Sequence, residues 1–479
     1  MYLGLDLGTS GLKAVLIDED QAVLAETTAA LSVSRPAVGW SEQAPADWIA
    51  AARAALLDLG TQVALDGVKG IGLSGQMHGA TLLDADDAVL RPCILWNDTR
   101  SDVEAAAMDA DPQFRAKTGN IVFPGFTAPK LAWVAKHEAE TFIKVAKVLL
   151  PKDYLRLWFT GEYVAEMSDA AGTSWLDTGK RAWDADLLAA TGLSLDHMPR
   201  LVEGSAISGQ LRASLAGELG LPSGIPVAGG GGDNAATGIG MGVVKAGQAF
   251  VSLGTSGVLF AANDGYAPDP DTAVHTFCHA LPNTWHQMGV ILAATDALNW
   301  FAQLVGQDPA ALTAGLDGLQ APDGPLFLPY LGGERTPLND AKIRGAFLGL
   351  DHAHHTGAAT RAVLEGVTFA LKDSLDALAA TGTKPGSLIA TGGGARSDYW
   401  LKAIATALDL PVTLPVAGDF GAAFGAARLG LMAATGAGAE IATPPAVARQ
   451  IDPDPHLIDA FTEGHARYRA ARSAIQGLT

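Results

Sequence analysis

Two carboxylates in this chain stand beside runs of glycine, and each could serve phosphate chemistry. Asp6 lies in Gly4-Leu5-Asp6-Leu7-Gly8-Thr9-Ser10-Gly11-Leu12-Lys13. An apolar run carries it, and a turn of small and hydroxyl side chains follows. Glycines at both ends of the turn admit positive φ and let another group approach the backbone. Such a turn can present a nest of N–H groups to phosphate. Thr9 and Ser10 add hydroxyl donors, and Lys13 adds a positive charge. A carboxylate inside an apolar strand costs several kcal/mol unless it is paired or holds a metal. Mg²⁺ bridging phosphates takes one or two carboxylates, and Asp6 is placed to supply one. The stretch also reads as an ordinary hairpin, because short motifs match by chance. Asp233 follows directly on Gly229-Gly230-Gly231-Gly232. It reads as a helix N-cap, or as a carboxylate open to a cleft and able to accept a proton. The two roles are compatible.

The turn recurs. Leu253-Gly254-Thr255-Ser256-Gly257 repeats Leu7-Gly8-Thr9-Ser10-Gly11 residue for residue, again between apolar runs. The separation is a domain's length rather than that of a short repeat. Two related domains, each opening with a phosphate-type hairpin, would set the turns on either side of a cleft. Ser252 stands where the first copy has Asp6, and one metal between the domains needs only one such carboxylate.

The elements that must position these groups follow from patterning. Residues 2–7, 12–17 and 22–31 read as three strands joined by short turns, an antiparallel edge. Ala44-Pro45-Ala46-Asp47 opens a helix whose apolar face includes Trp48, Ile49, Ala52 and Leu56. A buried strand, 68–73, runs into Ser74-Gly75-Gln76-Met77-His78-Gly79. This βββαβ order differs from the βαβαβ of a Rossmann half. Further on, Leu388-Ile389-Ala390-Thr391-Gly392-Gly393-Gly394-Ala395-Arg396-Ser397 reads as strand, glycine turn, helix. Its loop N–H groups and helix dipole would face an anion or a flat ring. No Walker A motif is present, and no glycine cluster fits G-x-G-x-x-G.

With 479 residues the chain is long enough for two or three domains. A net charge of −19 argues against nucleic acid or an anionic membrane as a main partner. Two cysteines give no disulfide framework. With no basic-then-apolar leader and no apolar run of membrane-span length, a soluble cytoplasmic protein is expected. His275-Thr276-Phe277-Cys278-His279 invites a metal reading. Strand alternation puts the histidines on one face and Cys278 on the other, so no convergent ligand set is expected. His352, His354 and His355 read as solvated, and Trp96, Trp133 and Trp300 as core or cleft wall.

Together these features resemble the FGGY family of carbohydrate kinases over most of the chain, most weakly in the last forty or so residues. Gly125-Phe126-Thr127-Ala128-Pro129-Lys130-Leu131-Ala132-Trp133 fits the family's N-terminal signature. Gly345–Leu350, with Ala362-Val363-Leu364-Glu365, is similar to its C-terminal signature. Ala358 and Ala359 replace an acidic or amide residue and a bulky apolar one there. Alanine keeps the helix. Ser74–Gly79, Trp96-Asn97-Asp98 and Leu150–Leu155 resemble the branch that phosphorylates D-xylulose. Glycerol-phosphorylating members carry Arg-Glu where Met77-His78 stand here.

The resemblance implies an α/β protein of two actin/Hsp70-like (ribonuclease H-like) domains with mixed sheets flanking an ATP/sugar cleft. Residues 1–246 would form the sugar-binding domain, and 247–479 the nucleotide-binding domain with a helical tail. It implies Asp233 as general base, Asp6 on Mg²⁺, and Met77, His78, Asp233 and Asn234 on the sugar. Gly8, Thr9, Ser10, Lys13, Gly254 and Thr255 would hold the phosphates of ATP, with Gly392, Gly393, Gly394 and Arg396 facing the adenosine. A homodimer is a further expectation.

Overall fold

The computed structural model describes residues 1–416, 418, 420–476 and 478. The first sheet begins with β1 (Tyr2–Leu7), β2 (Gly11–Ile17) and β3 (Val23–Ala30), an antiparallel meander. Helix α1 (Pro45–Gln62) starts with proline in its first turn and buries Trp48, Ala52, Leu56 and Leu59 at helical spacing. Strand β4 (Gly70–Gly75) then pairs parallel with β1. Helices α2 (Thr127–His137) and α3 (Pro151–Thr160) precede β5 (Ile207–Gln210), β6 (Pro226–Ala228) and the short β7 (Gly231–Gly232). The strand order is β5-β6-β4-β1-β2-β3, with β7 also on β4.

Helix α4 (Asp233–Gly240) leads out of β7. The second sheet repeats the plan. Strands β8 (Ala249–Leu253), β9 (Gly257–Asn263), β10 (His275–Cys278) and β11 (Trp285–Ile291) are its antiparallel part. Helices α5 (Thr295–Val305) and α6 (Thr356–Ala380) follow. Strand β12 (Leu388–Thr391) runs parallel to β8, and α7 (Asp398–Leu408) leads to β13 (Val412–Pro415), parallel to β12. The order is β10-β11-β9-β8-β12-β13, ending in β14 (Val447–Ile451). In both sheets the hairpin's first strand lies beside a parallel strand, which ends at Gly75 in the first and runs into Gly392 in the second. The expected two-domain α/β architecture with mixed sheets is what the chain adopts.

Helix α8 (Ala422–Thr435) follows the second sheet's β13 in the chain yet packs on the first. Glycines make the approach possible. A Cβ on Gly4 would lie 1.9 Å from the Ala423 carbonyl oxygen, and one on Gly72 1.8 Å from that of Ala426. On its other side Gly425 of α8 meets α4, where a Cβ would come within 1.8 Å of the Ala236 oxygen. The Arg428 guanidinium donates to the carbonyls of Ile239 and Gly240, at 2.9 and 3.1 Å, satisfying the C-terminal end of α4. Gly238 of α4 in turn touches Phe260 of the second sheet. Thus α4 and α8 form a waist between the sheets.

The tail is not a separate appendage. Strand β14 extends the second sheet. In α9 (Ile458–Ile475) the Tyr468 hydroxyl meets that of Tyr330 at 2.6 Å, and His465 and Arg472 both contact the Asp373 carboxylate. None of the helices is long and apolar enough to cross a membrane among the described residues.

Candidate active site

Strand register brings the first set of residues together. Asp6 is opposite Ser74, and Leu7 opposite Gly75. Gly75 is in turn opposite Gly232 of β7. The chain therefore leaves β1, β4 and β7 at one edge, where the Gly8 turn, Gln76 and Asp233 emerge side by side. A crevice outside the carboxyl ends of parallel strands is the usual ligand position in open α/β sheets.

The turn is held firmly. Gly8 N–H donates to the Gly11 carbonyl at 3.0 Å. The Thr9 hydroxyl donates to Gln76 Oε1 and accepts from Trp96 Nε1, both at 3.0 Å. Gln43 Nε2 donates to the Thr9 carbonyl at 2.7 Å, while Gln43 Oε1 accepts from Gln76 and Trp48. Trp96 is 48% exposed, so it is not a core residue. Trp133 is buried, and Trp300 stacks on Phe327 in the second domain. Lys13, in register with Asp6, brings its ammonium within 3.0 Å of Glu26 on β3.

Asp233 does not cap the helix: Gly232 is the N-cap and Asp233 the first helical residue. Its Oδ1 accepts from the Asn234 backbone N–H at 2.7 Å and the Asn234 side-chain amide at 3.0 Å. Among the described residues Oδ2 accepts no hydrogen bond. Burial raises the carboxyl above the usual 3.8, and the two bonds from Asn234 oppose that shift. Asn234 is thus turned back onto Asp233.

A buried ionic cluster holds the glycine run that carries Asp233. Arg156 donates to Ala228 and Gly229 carbonyls and to Ser208. The Ser168 hydroxyl accepts from Gly232 N–H at 3.0 Å, and Glu166 accepts from Ser168. Lys152, Asp153 and Asp169 complete the cluster, all fully buried.

Met77 is 6% exposed and packs beside Gly232 and Gly172, where an added Cβ would come within 2.9 Å of it. His78 has φ 69°, and its carbonyl accepts from Lys130 Nζ at 2.7 Å. Its ring stacks on Phe126 at 4.5 Å, and Nδ1 lies 2.7 Å from the Gly172 carbonyl oxygen. Burial, with the nearby Lys130 charge, lowers His78 to about 3. The ring is neutral at physiological pH. A carbonyl only accepts, so Nδ1 carries the proton and Nε2 is an acceptor. Burial lowers Lys130 itself to about 7.

The second crevice has the same layout with different contents. Ser252 is opposite Thr391, so the Gly254 turn and Gly392-Gly393-Gly394 leave β8 and β12 together. Gly392 has φ 87°, and a Cβ there would meet the Leu253 carbonyl oxygen at 2.6 Å. Thr255 and Ser256 are exposed. Gly393, Gly394, Arg396, Tyr399, Leu298 and Asn299 line a cleft of about 830 Å³. That is room for a nucleoside.

Residues 1–240 match the model for the N-terminal domain of the FGGY family of carbohydrate kinases, and residues 249–434 match that for its C-terminal domain. The chain belongs to the FGGY family of carbohydrate kinases. It is 48% identical to the xylulose kinase of Escherichia coli K12 across all of this kinase and 98% of that one. A solved xyloylose kinase from Brucella ovis superposes at TM-score 0.98 with 63% identity, covering both chains fully. A solved gluconate kinase from Lactobacillus acidophilus superposes at TM-score 0.93 with 25% identity, covering 99% of this chain and 98% of that one. Both folded halves of the kinase thus have counterparts, and the resemblance seen in its motifs holds over its whole length.

Several working residues of this kinase carried no recognised role in the sequence. Gln43, Gln76 and Trp96 brace the first turn, and Arg156 and Ser168 brace the glycine run. Gln76 and Trp96 do stand inside motifs that are visible in the sequence. Gln43 and Arg156 act over distances that only the fold closes. The His275–His279 segment is buried, and its ligand atoms do not converge. His279 Nε2 lies 3.0 Å from the Val243 oxygen, and burial lowers the residue to about 4.

Proposed function

We propose that this kinase transfers the γ-phosphoryl group of ATP to the C5 hydroxyl of D-xylulose. The observation that carries the reading is the placing of Met77 against Gly232, next to Asp233, with Met77 and His78 together against Gly172. The full-length similarity to the Escherichia coli xylulose kinase supports the same sugar. Residues 1–246 act as the sugar-binding domain and 247–479 as the nucleotide-binding domain, with α8 reaching back to the first sheet.

Asp233 Oδ2 accepts the C5 hydroxyl proton as O5 attacks the γ-phosphorus. The raised carboxyl pKa makes it a better base than an exposed aspartate. The turn that Gly8 opens faces the phosphates from one side with the backbone N–H groups of Thr9 and Ser10, and the Gly254-Thr255 turn faces them from the other. Gly392 to Gly394 and Arg396 face the adenosine. His78 Nε2 accepts from a sugar hydroxyl, and Met77 packs on the carbon chain. Mg²⁺ fits the first crevice, whose donor set is one half-buried carboxylate, Asp6, beside neutral Thr9, Ser10 and Gln76. Such a set suits an ion that keeps its remaining places for phosphate and water. When bound, the ion neutralises charge building between the β- and γ-phosphoryl groups, and Asp6 would hold it.

An ADP-release screen across ketopentoses, polyols and aldonates tests the reading. D-xylulose is expected to show the highest kcat/KM. A higher value for D-ribulose or D-gluconate would overturn it.

A further inference from the structure

The proposed sugar site has one wall from the second domain, and that wall carries an arginine which the mechanism above does not use. Arg335 lies in the loop Gly333-Glu334-Arg335-Thr336-Pro337. Its guanidinium sits over the ring of Phe123, 4.3 Å from the centroid, and its Nη1 is 3.4 Å from His275 Nε2. It is half-buried, yet among the described residues no carboxylate lies within ion-pairing distance. Glu334, next in the chain, spends its Oε1 on the backbone N–H groups of Leu292 and Arg335 rather than on the guanidinium. A guanidinium taken from water without an anion is costly unless acceptors meet it. Enzymes keep such groups where a ligand supplies the acceptors.

The surroundings order the contacts. Asp233 adjoins Gly232, Gly232 touches Met77, and Met77 and His78 both touch Gly172. His78 stacks on Phe126, Phe126 meets Phe123 at 5.5 Å, and Arg335 covers Phe123. In this chain of contacts the base is reached through the Gly172 side of His78 and Arg335 through its Phe126 side. A pentose with its C5 hydroxyl at Asp233 and its middle hydroxyls at His78 presents C2 and C1 to this end. Guanidinium is purely a donor, and a ketone oxygen is purely an acceptor. His78 Nε2, being an acceptor, cannot serve that oxygen.

The loop is braced on its other side. Glu334 Oε1 accepts from Leu292 N–H at 3.0 Å and from Arg335 N–H at 2.8 Å. The Thr336 hydroxyl accepts from Val290 N–H and donates to the Ala273 carbonyl, both at 3.0 Å. The Leu292 carbonyl accepts from Ser256 in the second phosphate hairpin at 3.3 Å. The arginine is thus presented by the end of β11, which also supports that hairpin.

We propose that Arg335 binds the C2 carbonyl oxygen of the ketose, so that the second domain recognises the non-reacting end of the sugar. This rests on the assignment of a ketopentose as substrate. It makes sugar choice a property of both domains.

The test is a cycle between protein and substrate, read as kcat/KM. The substrates are D-xylulose and the tetrol that keeps its O3, O4 and O5 but has CH₂ at C2. The proteins are wild type, Arg335→Met and Arg335→Lys, each checked for an unchanged thermal transition. A hydrogen bond from a charged donor corresponds to about 10- to 100-fold. Wild type should lose that factor on going to the tetrol. Arg335→Met should lose it on D-xylulose and lose less than about 3-fold more on the tetrol, within the error of additivity. Arg335→Lys, which keeps the charge, should fall between. Losses that multiply in Arg335→Met, or in Arg335→Lys if the first does not fold, would show that the arginine only braces the domains. A wild-type protein that does not turn over D-xylulose would instead overturn the substrate assignment.

Discussion

The two crevices share a turn sequence, a strand order and a register, but their contents differ. In the first, Asp6 and Asp233 stand at the strand ends, and Thr9 is tied down by Gln76, Trp96 and Gln43. In the second, Ser252 replaces the carboxylate, Thr255 and Ser256 are exposed, and the glycine turn opens onto an 830 Å³ cleft. One scaffold has thus been used twice, once with two carboxylates at the strand ends and the Thr9 hydroxyl tied down, once with an open cleft and a turn held through its Gly254 and Thr255 carbonyls by Ala294 and Thr295. A braced site suits groups that must be held within a fraction of an ångström of a reacting oxygen. An open one suits a nucleotide that enters and leaves each cycle. The difference lies in side chains, because the backbone devices are common to both.

The largest effect should come from the base. Asp233→Asn keeps the shape and removes the proton acceptor, so turnover should fall about 10²- to 10⁴-fold, with D-xylulose affinity little changed by calorimetry. Turnover like wild type would remove Asp233 from the mechanism. Next comes the charge that distinguishes the copies. Asp6→Asn should raise the Mg²⁺ needed for half-maximal rate by about tenfold or more, on the scale of weakened metal sites. Moving the carboxylate across with Asp6→Asn and Ser252→Asp together should not restore it. Recovery in the double variant would mean the crevices are interchangeable, against the division drawn here.

A smaller effect tests Asn234. Both its hydrogen bonds to Asp233 favour the ionised carboxylate, while burial opposes it. A general base works ionised, so with Asp233 in the proposed role activity is lost as pH falls through its pKa. Asn234→Ala removes the side-chain bond and should raise that pKa. The acid limb of the kcat/KM profile should therefore move to higher pH, with the plateau reduced by less than about tenfold. A limb that stays in place or moves down would show that Asp233 is not the group being titrated.

Much of this was legible because it is local. Turn residues, glycine runs and strand alternation fall within ten residues of one another, so both hairpins and the Asp233 turn could be read directly. The helix through Ala358 and Ala359 also forms as their propensity implies, running from Thr356 to Ala380. What was hidden depends on closure in space. Nothing near Ala422–Thr435 says that this helix will lie on the first sheet, because its small residues match glycines more than 300 positions away. Arg156 carries no local signal of its role, because the carbonyls of the glycine run that it meets lie more than 70 positions away. The tail's Gly/Ala/Pro-rich connector, 436–448, left the placement of the final helix open. The buried Tyr330–Tyr468 and Asp373–Arg472 contacts bind it to the second domain.

The division of labour is tested most directly by binding each ligand alone to two variants. Gly393 faces the second cleft, and a Cβ there would meet nothing within 4 Å, so Gly393→Leu fills the cleft without straining the protein. His78→Ala removes an acceptor from the first crevice, and a buried hydroxyl left unpaired costs about 1–3 kcal/mol. Calorimetry should show D-xylulose weakened by roughly one to two decades in His78→Ala, with a non-hydrolysable ATP analogue binding as to wild type. Gly393→Leu should show the reverse, with the analogue weakened at least tenfold and D-xylulose unchanged. Equal weakening of both ligands by either substitution, with the thermal transition intact, would contradict the separation of sugar and nucleotide between the two crevices.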